Sequence, residues 1–337
     1  MFSPRFENYA EPLAIVRQLI QVELERWRSP YTEFFYDQGV SFLSRPAKLL
    51  RPFLVVLICD RFEGDLNKAC ACGAAVELYH NATLIYDDIQ DNSPMRRGRP
   101  SIHISTNLSV AMSLGGWIRT LMYHPILHCS ALDMVERAHI HGILDTVCTR
   151  VTIGQGIEAL WGYQDRWDIQ EEEYLEMIQG KTGALFAACT ELGAYSAGAG
   201  SSTIAALRDF GTAFGSLFQL KNDYLDLFGI ANAAGRPLYD DLREGKRTIF
   251  VIRAIKSLTN AGEVQTAERF KELLKSGALN DNQLRWCLDV LISTQSVESV
   301  RQEMEIRAVA LANQARELPV PAELTADFAT LVDYLAG

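Results

Sequence analysis

Apolar residues recur at helical spacing along most of this chain. Two stretches are especially regular, one ahead of residue 90 and one ahead of residue 229: Ala74, Ala75, Leu78, Ala82, Ile85 and Ile89, and Phe214, Leu217, Phe218, Leu220, Leu225 and Phe228. Strand-like alternation is sparse, and the apolar run 54–59 fits a buried helix as well as a strand. The pattern therefore predicts an all-α fold, a single large helical bundle with an elongated central cavity between long helices.

No segment of the chain is typical of a linker. The 337 residues, 48% of them apolar, are enough for a substantial core. The Gly- and Ala-rich patches at 198–202 and 231–235 are short enough to connect helices. Asp168, followed by Glu171, indicates the start of a helix with an acidic first turn. We expect one domain over residues 1–337.

Charge and cysteine usage limit the partners and the compartment. The formal net charge of −10 argues against nucleic acid, but not against an anionic substrate that meets locally clustered basic residues. The seven cysteines are odd in number and lie mostly in apolar helical segments, which is typical of packed thiols in a reducing compartment. The apolar run 53–59 is too short to cross a bilayer, and residues 1–7 lack the pattern of a secretion signal. We therefore expect a cytoplasmic protein without stable membrane insertion.

Two short acidic clusters carry the candidate chemistry: Asp87-Asp88-Ile89-Gln90-Asp91, and Asn222-Asp223-Tyr224-Leu225-Asp226. Residues at i, i+3 and i+4 share one face of a helix, so each cluster directs its carboxylates to one side. Neighbouring carboxylates in an apolar setting need a compensating cation, and Mg²⁺ prefers such oxygen ligands together with phosphate. A single cluster would fit a solvated acidic face. Two clusters, each followed by a basic segment, favour a site that clamps a diphosphate through metal ions.

Six segments of the chain occur in an order that resembles one enzyme family. They are Lys48-Leu49-Leu50-Arg51-Pro52, Val76 to Pro100 with the first cluster, Gly154-Gln155-Gly156, Gly180-Lys181-Thr182-Gly183, Phe218 to Asp226 with the second cluster, and Gly235-Arg236-Pro237 to Thr248. Together they resemble the trans-isoprenyl diphosphate synthases, and geranylgeranyl diphosphate synthases most closely. The resemblance covers roughly residues 45–255. It implies a prenyltransferase that condenses an allylic diphosphate with isopentenyl diphosphate to a longer trans-prenyl diphosphate.

The resemblance implies a role for each polar residue of these segments. About three Mg²⁺ ions would be held by the two clusters, that is, by Asp87, Asp88, Asp91, Asn222, Asp223 and Asp226. The substrate diphosphates would be bound by basic residues: Arg96, Arg236 and Lys181 for the allylic substrate, Lys48, Arg51, His80 and Arg97 for isopentenyl diphosphate, with Lys221 nearby. Lys181, Thr182 and Gln219 would be catalytic, the last two as oxygen dipoles beside the positive charge. A homodimer is also implied.

The residues before Asp87 set the expected product length. Thr83 and Ala82, one turn earlier on the same face, are small, so a growing chain can pass them. Tyr79 lies two turns away, about 12 Å by helix rise. We expect a product longer than fifteen carbons, of about twenty, with Tyr79 and one of two residues of the next helix, Trp117 or Met122, at the end of the tunnel.

The chain departs from the family pattern at several positions: Leu49, Gly115-Gly116, Glu158, Asn222 and Arg236. Asn222 matters most because it removes one negative charge from the second cluster. It leaves open a terpene cyclase or an irregular prenyl-coupling enzyme on the same fold. A catalytically weak partner in a heteromer is a third hypothesis, which the retained aspartates disfavour. Regular elongation is favoured because a cyclase with one substrate would not need the basic residues for isopentenyl diphosphate.

Overall fold

The structure, a computed structural model, describes residues 4–229, 238–277 and 279–336. In these ranges the chain forms helices α1 to α17, which are in order Ala10–Glu25, Glu33–Leu43, Leu50–Arg61, Leu66–Gln90, Ile102–Ser105, Leu108–Leu121, His124–His128, Met134–Tyr163, Glu171–Ile178, Ala184–Ser196, Ser201–Phe228, Asp240–Arg243, Ile249–Asn260, Val264–Ser276, Asp281–Ser293, Ser296–Glu317 and Ala322–Ala336. A 3₁₀ turn, Pro4–Tyr9, precedes α1, and a π turn, Gln179–Gly183, joins α9 to α10. The all-α prediction is confirmed.

The centre of the bundle is built from α3 and α10. The apolar run 54–59 is helical and entirely buried within α3. A helix that is apolar on all sides must be surrounded by other elements, and α3 packs against α4, α10, α1 and α17. Helix α10 contains small residues that allow close packing: a Cβ on Gly193 would lie 2.7 Å from the backbone oxygen of Val55 in α3. This tight centre supports the longer helices around it.

Helix α4 is the long element that carries the first acidic cluster. Asp65 caps its start by accepting from the backbone N–H of Asn67 at 2.9 Å. Its 25 residues make it about 37 Å long. Most of its residues from Ala69 to Ala82 are buried against α1, α3, α6 and α10. The helix ends at Gln90, so the cluster lies where the chain leaves the core.

The second cluster lies in the last turns of α11, which packs along α10, the π turn and α16. The chain then passes through residues 230–237, which lie outside the described ranges, and returns at α12. Arg236, expected to bind the allylic diphosphate, is one of these residues. The backbone N–H of Tyr239 donates to the carbonyl of Asp226 at 2.9 Å, which holds the start of α12 against the end of α11.

Two sequence expectations are refined by the structure. The helix expected to start at Asp168 starts at Glu171, because Gln170 caps it and the side chain of Glu173 accepts from the backbone N–H of Gln170 at 3.2 Å. Between α4 and α5 the chain forms a two-residue antiparallel ribbon, with Met95–Arg96 as β1 and Arg99–Pro100 as β2. Within the described residues, every helix is too short or too polar to cross a membrane.

Candidate active site

The first acidic cluster is fixed by the end of α4. Asp87 and Asp88 lie in its last turn, and the backbone N–H of Asp91, which caps the helix, donates to the carbonyl of Asp87 at 2.9 Å. Asp87 and Asp91 are one turn apart and share a face. The carboxyl-terminal end of a helix carries partial negative charge, so carboxylates placed here depend on cationic partners. Three such partners reach them from other elements.

The ribbon after α4 supplies the first partner and separates two adjacent arginines. Arg96 donates from Nε to Oδ1 of Asp88 at 2.7 Å and from Nη2 to Oδ2 of Asp87 at 3.1 Å. Arg97, with φ +52°, lies in the turn of the ribbon and donates from Nη1 to Oδ1 of Asn81 at 3.1 Å. The two side chains therefore contact different groups, Arg96 the aspartates of α4 and Arg97 the side chain of Asn81. The sequence predicts that they bind two different diphosphates.

Lys181 is the second partner, and the π turn positions it. Its Nζ lies 3.2 Å from Oδ1 of Asp87 and forms an ion pair with Glu158 of α8. Burial lowers the pKa of Lys181, but the charges of Asp87 and Glu158 outweigh burial and raise it above its usual value. The π turn fits against α8 because Gly154 has no side chain: a Cβ there would lie 2.3 Å from the backbone nitrogen of Lys181. Isolated π turns often occur at functional sites.

Lys246, which follows α12, is the third partner and connects the first cluster to Asp241. Its Nζ lies 2.7 Å from Oδ2 of Asp91, 2.9 Å from Oε2 of Glu244 and 3.5 Å from Oδ1 of Asp241. Burial lowers the pKa of Lys246, but Asp241 and Asp91 together hold it well above its usual value. The ammonium group is therefore charged and buried among carboxylates.

The second cluster is held mainly by uncharged donors. The hydroxyl of Thr182 donates to Oε1 of Gln219, and Nε2 of Gln219 donates to Oδ1 of Asp223, both at 2.7 Å. The buried hydroxyl of Tyr174 donates to Oδ2 of Asp223, also at 2.7 Å. Thr182 and Gln219, two of the catalytic candidates, therefore belong to one chain of hydrogen bonds that ends on Asp223.

Asp226 caps the short helix α12. Its Oδ1 accepts from the backbone N–H of Asp240 at 3.1 Å, and its Oδ2 accepts from that of Asp241 at 3.2 Å. Asn222 is exposed, in contrast to Asp223, which is buried. The position with the missing charge is therefore more exposed than Asp223 and Asp226, the two aspartates of the second cluster.

Burial raises the pKa of three aspartates in these clusters. Burial first, and then the charge of Asp87, raises the pKa of Asp91 to about 7. Burial first, and then the charge of Asp241, raises the pKa of Asp223 to about 7 and that of Asp226 to about 8. The cause is an excess of carboxylates in a small volume, which favours protonation or the binding of further cations.

The donor set fits a magnesium ion or a similar hard cation. The clusters provide carboxylate oxygens on two helices, α4 and α11, and Lys246 bridges Asp91 to Asp241 beside the second of these helices. Mg²⁺ is bound in proteins by one or two carboxylates, with water and phosphate at its other positions. Raised carboxylate pKa values are expected where a multivalent cation normally supplies the missing charge.

Arg97 also belongs to a second group of basic residues, together with Arg51 and His80. Nη1 of Arg51 lies 3.2 Å from Nε2 of His80, and the Arg51 guanidinium stacks on the rings of Phe186 and Phe218 at 4.7 and 5.9 Å. Burial, with the charges of Arg51 and Arg97, holds the pKa of His80 well below its usual range. A neutral His80 accepts from Arg51 and leaves the positive charge on the two guanidinium groups.

The remaining basic candidates lie near the carboxyl-terminal helix. Lys48 is exposed, and its Nζ donates to the hydroxyl of Tyr334 in α17 at 3.0 Å. Lys221 lies over the ring of Tyr224 at 5.8 Å, and burial lowers its pKa. Contact between Lys48 and α17 means that the last helix borders this basic group.

Several residues of the site went unassigned in the sequence. Lys246 and Asp241 lie in the last resembling segment, so their position was a signal for them, and Glu158 follows Gly154 by one helical turn. Tyr174 had no such signal because its partner Asp223 is 49 residues away and the contact arises only in the folded chain.

The residues expected at the end of the tunnel are Tyr79 of α4 and either Trp117 or Met122. The hydroxyl of Tyr79, which is 2% exposed, donates to the carbonyl of Cys148 at 3.4 Å, and the thiol of Cys148 lies 3.9 Å from the sulfur of Met122. Trp117 instead packs on α2, where its ring centroid is 5.3 Å from that of Phe35. Tyr79 and Met122 therefore belong to one buried group.

The position of Tyr86 explains why the chain has glycine at residue 115, one of its departures from the family pattern. A Cβ on Gly115 of α6 would lie 3.0 Å from Cζ of Tyr86. The glycine gives the tyrosine ring room between α4 and α6.

Comparisons with known proteins agree with this geometry. The family described as Polyprenyl synthetase matches residues 33–291. The short chain isoprenyl diphosphate synthase of Methanothermobacter thermautotrophicus is 32% identical over 271 residues, which cover 79% of this chain and 81% of that protein. The geranylgeranyl diphosphate synthase of Sulfolobus acidocaldarius is 34% identical over 230 residues, which cover 66% of this chain and 67% of that protein.

Solved structures with the same fold include two that contain a ligand and a metal. The polyprenyl synthase from Caulobacter crescentus, complexed with calcium and isoprenyl diphosphate, has a TM-score of 0.86 and 25% identity, with 98% of this chain and 96% of that chain covered. The geranylgeranyl pyrophosphate synthase from Corynebacterium glutamicum, complexed with isoprenyl diphosphate and magnesium, has a TM-score of 0.88 and 22% identity, with 96% and 97% covered. By sequence and by fold, the chain belongs to the polyprenyl synthetase family of trans-prenyltransferases.

Proposed function

We propose that this enzyme joins an allylic diphosphate to isopentenyl diphosphate and releases geranylgeranyl diphosphate. The observation that carries the proposal is the presence of two basic groups with different partners. Arg96 and Lys181 pair with aspartates of α4. Arg51 instead contacts the neutral His80, and Arg97 donates to Asn81. A reaction between two diphosphates, only one of which loses its diphosphate group, needs two such anion sites.

The allylic diphosphate binds at the two acidic clusters in this proposal. We assign metal binding to Asp87, Asp91 and Asp223 through their carboxylates, with Asp88, Asn222 and Asp226 as further oxygen donors. About three Mg²⁺ ions, when bound there, would neutralise the leaving diphosphate. Arg96, Lys181 and Arg236 contribute fixed positive charge to the same phosphate oxygens, and a guanidinium matches them with two parallel donors.

Bond breaking and bond making then follow without a nucleophile from the protein. The allylic C–O bond breaks, and its electron pair leaves with the diphosphate. The double bond of isopentenyl diphosphate attacks the allylic carbon, which forms the new C–C bond, and the released diphosphate takes the proton that is lost. The oxygen dipoles of Thr182 and Gln219 are well placed to stabilise positive charge, because their mutual hydrogen bond of 2.7 Å fixes both side chains.

Isopentenyl diphosphate binds at the second basic group in this proposal, through Lys48, Arg51, His80 and Arg97, with Lys221 nearby. The packing of Arg51 over the rings of Phe186 and Phe218 orients its planar donors before the ligand arrives.

A twenty-carbon product is supported by the residues along α4. In this proposal the small side chains of Ala82 and Thr83 let the growing chain pass, and the buried Tyr79, in one group with Met122, limits its length. The name of the Sulfolobus acidocaldarius relative agrees with this length.

A homodimer in the cytoplasm is part of the same proposal. Exposed apolar side chains on α6 and α8 support an interface between two copies: Leu108, Met112, Ile153, Leu160 and Tyr163. The seven cysteines are free thiols, which suits a reducing compartment.

One set of incubations tests the activity. The enzyme is supplied with Mg²⁺ and allylic diphosphates of ten, fifteen and twenty carbons, with and without isopentenyl diphosphate. We expect products only when both substrates are present, ending at about twenty carbons. Hydrocarbons formed from a single substrate would identify a cyclase and refute elongation.

A pair of variants tests the second anion site. Arg97→Met removes a guanidinium assigned to isopentenyl diphosphate, whereas Arg99→Met removes an exposed one from the same ribbon. Since a hydrogen bond between charged groups contributes about 1.5–3 kcal/mol, we expect KM for isopentenyl diphosphate to rise about tenfold or more in R97M and to stay unchanged in R99M. Equal KM values in the two variants would remove Arg97 from the site.

A further inference from the structure

Two histidines on α7 face a buried carboxylate of α1. His124 and His128 are separated by one helical turn and therefore lie on the same side. Nδ1 of His128 lies 2.8 Å from Oε1 of Glu23, and Nδ1 of His124 lies 3.4 Å from its Oε2. One ligand atom from each of the three residues lies within 4.8 Å of the other two. The group therefore offers three donors of two types that zinc accepts, two imidazole nitrogens and one carboxylate oxygen.

The environment of Glu23 sets this group apart from a surface cluster. Glu23 is 3% exposed. Among the residues that the structure describes, its Oε2 and Nδ1 of His124 make no hydrogen bond, although the Arg26 guanidinium lies 3.1 Å from Oε2. A carboxylate taken out of water is costly unless its oxygens are well compensated. One imidazole and one half-exposed arginine compensate it only in part.

We propose that Glu23, His124 and His128 bind a divalent transition-metal ion of the zinc type. Zinc accepts nitrogen at about 2.0–2.1 Å and carboxylate oxygen at about 2.0–2.2 Å, so small side-chain movements bring the three atoms into range. The side chain of His128 is 41% exposed, which leaves a fourth position open to water. Each histidine binds the metal through a neutral nitrogen, so binding releases to the buffer any proton held by Nδ1.

This site is remote from the aspartate clusters. The thiol of Cys129, next to His128, contacts the backbone oxygen of Asn67 at 3.8 Å, which places the group at the beginning of α4. Asp87 lies 20 residues further along the same helix, about 30 Å away by helix rise. An ion held here would link α1 to α7 and would leave the magnesium site open.

The zinc site and the aspartates also differ in chemistry. Carboxylates with phosphate select hard ions, whereas imidazole selects zinc and its neighbours. The proposal therefore does not depend on the assigned prenyltransfer chemistry, and a metal can occupy one site while the other is saturated with Mg²⁺.

Equilibrium dialysis against Zn²⁺ under saturating Mg²⁺ tests the proposal. The wild-type protein is compared with H124N/H128N and with the matched control H103N/H139N, which loses two histidines outside the group. We expect the wild type and the control to hold one zinc ion more than H124N/H128N. The affinity for that ion should fall at least about a hundredfold in H124N/H128N, because even the loss of a group that only orients a ligand costs about ten- to hundredfold. Equal zinc binding by all three proteins would overturn the proposal.

Two further measurements keep the test decisive if the double variant folds poorly. Glu23→Gln keeps the size of the side chain and removes its charge, so the extra zinc should bind more weakly. Co²⁺ added to the wild type should give the intense visible absorption of a four-coordinate site with nitrogen ligands, which six oxygen ligands do not give. A weak six-coordinate spectrum alone, or unchanged zinc affinity in E23Q, would overturn a zinc site made of all three residues.

Discussion

The two acidic clusters look alike in sequence but are held in different ways. The carboxylates at the end of α4 contact three cationic side chains: Arg96, Lys181 and Lys246. Asp223 of α11 instead accepts from two neutral donors, the Tyr174 hydroxyl and the Gln219 amide, and Asp226 accepts from backbone N–H groups. The first cluster is therefore compensated by fixed charge, whereas the second is compensated by dipoles.

This difference has a consequence for metal binding. Ion pairs keep carboxylates ionised, whereas neutral donors in a buried setting compensate charge less completely. Burial raises the pKa of Asp223 to about 7 and of Asp226 to about 8. The pKa of Asp91 in the first cluster is also raised to about 7, so protons and metal ions compete at both clusters near neutral pH, most strongly at Asp226. We infer that the second cluster limits how tightly the last metal ion is held.

Loss of a carboxylate from the first cluster should have the largest effect. Asp87→Ala or Asp91→Ala removes a proposed ligand whose share of charge stabilisation is several kcal/mol, so we expect kcat to fall about a thousandfold. The control Asp209→Ala removes an exposed aspartate of α11 and should leave kcat unchanged. Steady-state assays with both substrates measure the effect, and near-normal turnover in D87A would refute the metal assignment.

Removal of a neutral donor from the second cluster should have an intermediate effect. Tyr174→Phe takes away the hydroxyl bonded to Asp223, which lowers the pKa of that carboxyl in the wild type. We expect the Mg²⁺ concentration for half-maximal rate to rise about tenfold, as for other groups that orient a metal ligand. Tyr31→Phe, at a tyrosine that is 99% exposed, is the matched control. An unchanged Mg²⁺ dependence in Y174F would mean that dipoles do not support this cluster.

Adding a negative charge at position 222 should have a smaller effect, and it should raise the rate instead of lowering it. Asn222→Asp adds a carboxylate at the exposed position of the second cluster. An exposed charge interaction contributes about 1 kcal/mol at most, which is about fivefold. We therefore expect a rate increase of up to about fivefold at limiting Mg²⁺ and little change at saturation. If N222D changed the product instead of the Mg²⁺ dependence, the asparagine would serve an irregular reaction.

The smallest expected effect is on stability. Aspartates whose pKa is raised in the folded protein stabilise it at low pH, and this contribution is lost as the pH rises through the folded values of about 7 to 8. Without Mg²⁺, the Tm should therefore decline from about pH 4, where the carboxyls of the unfolded chain ionise, to about pH 8, and saturating Mg²⁺ should reduce the decline. Differential scanning calorimetry measures it. The D223N/D226N variant should show a shallower decline, and a slope equal to that of the wild type would exclude these carboxyls as its source.

The sequence was most informative where function and local structure coincide. The first cluster lies in a segment of regular helical periodicity, which was enough to place it on α4, whereas the arginines that follow it and the glycines of 154–156 were identified by the family resemblance. Helix α9 starts at Glu171, later than the sequence predicted from Asp168, because Gln170, a weaker capping residue, precedes it as the N-cap.

The sequence did not predict which residues far apart along the chain contact each other. The pairing of Lys246 with Asp91 joins residues 155 positions apart, and that of Tyr174 with Asp223 joins residues 49 positions apart. Neither pairing follows from periodicity, because the orientation of one helix toward another depends on packing of the whole core. The histidine pair of α7 was missed for the same reason: its spacing was visible, but Glu23 was not known to lie opposite.

The π turn before α10 has a consequence for how this protein can vary. It contains one residue more than a regular helical turn, and that extra residue lies between the acidic helix α9 and the buried helix α10. Deleting a residue there would yield an unbroken helix and leave α9 and α10 in line, because the wider turn accommodates the extra residue. The side chains within the turn would shift, and the Lys181 ammonium would lose its place beside Asp87 and Glu158. Such a deletion would separate folding from activity: the chain would keep its core and survive as a folded protein without Lys181 in its present position.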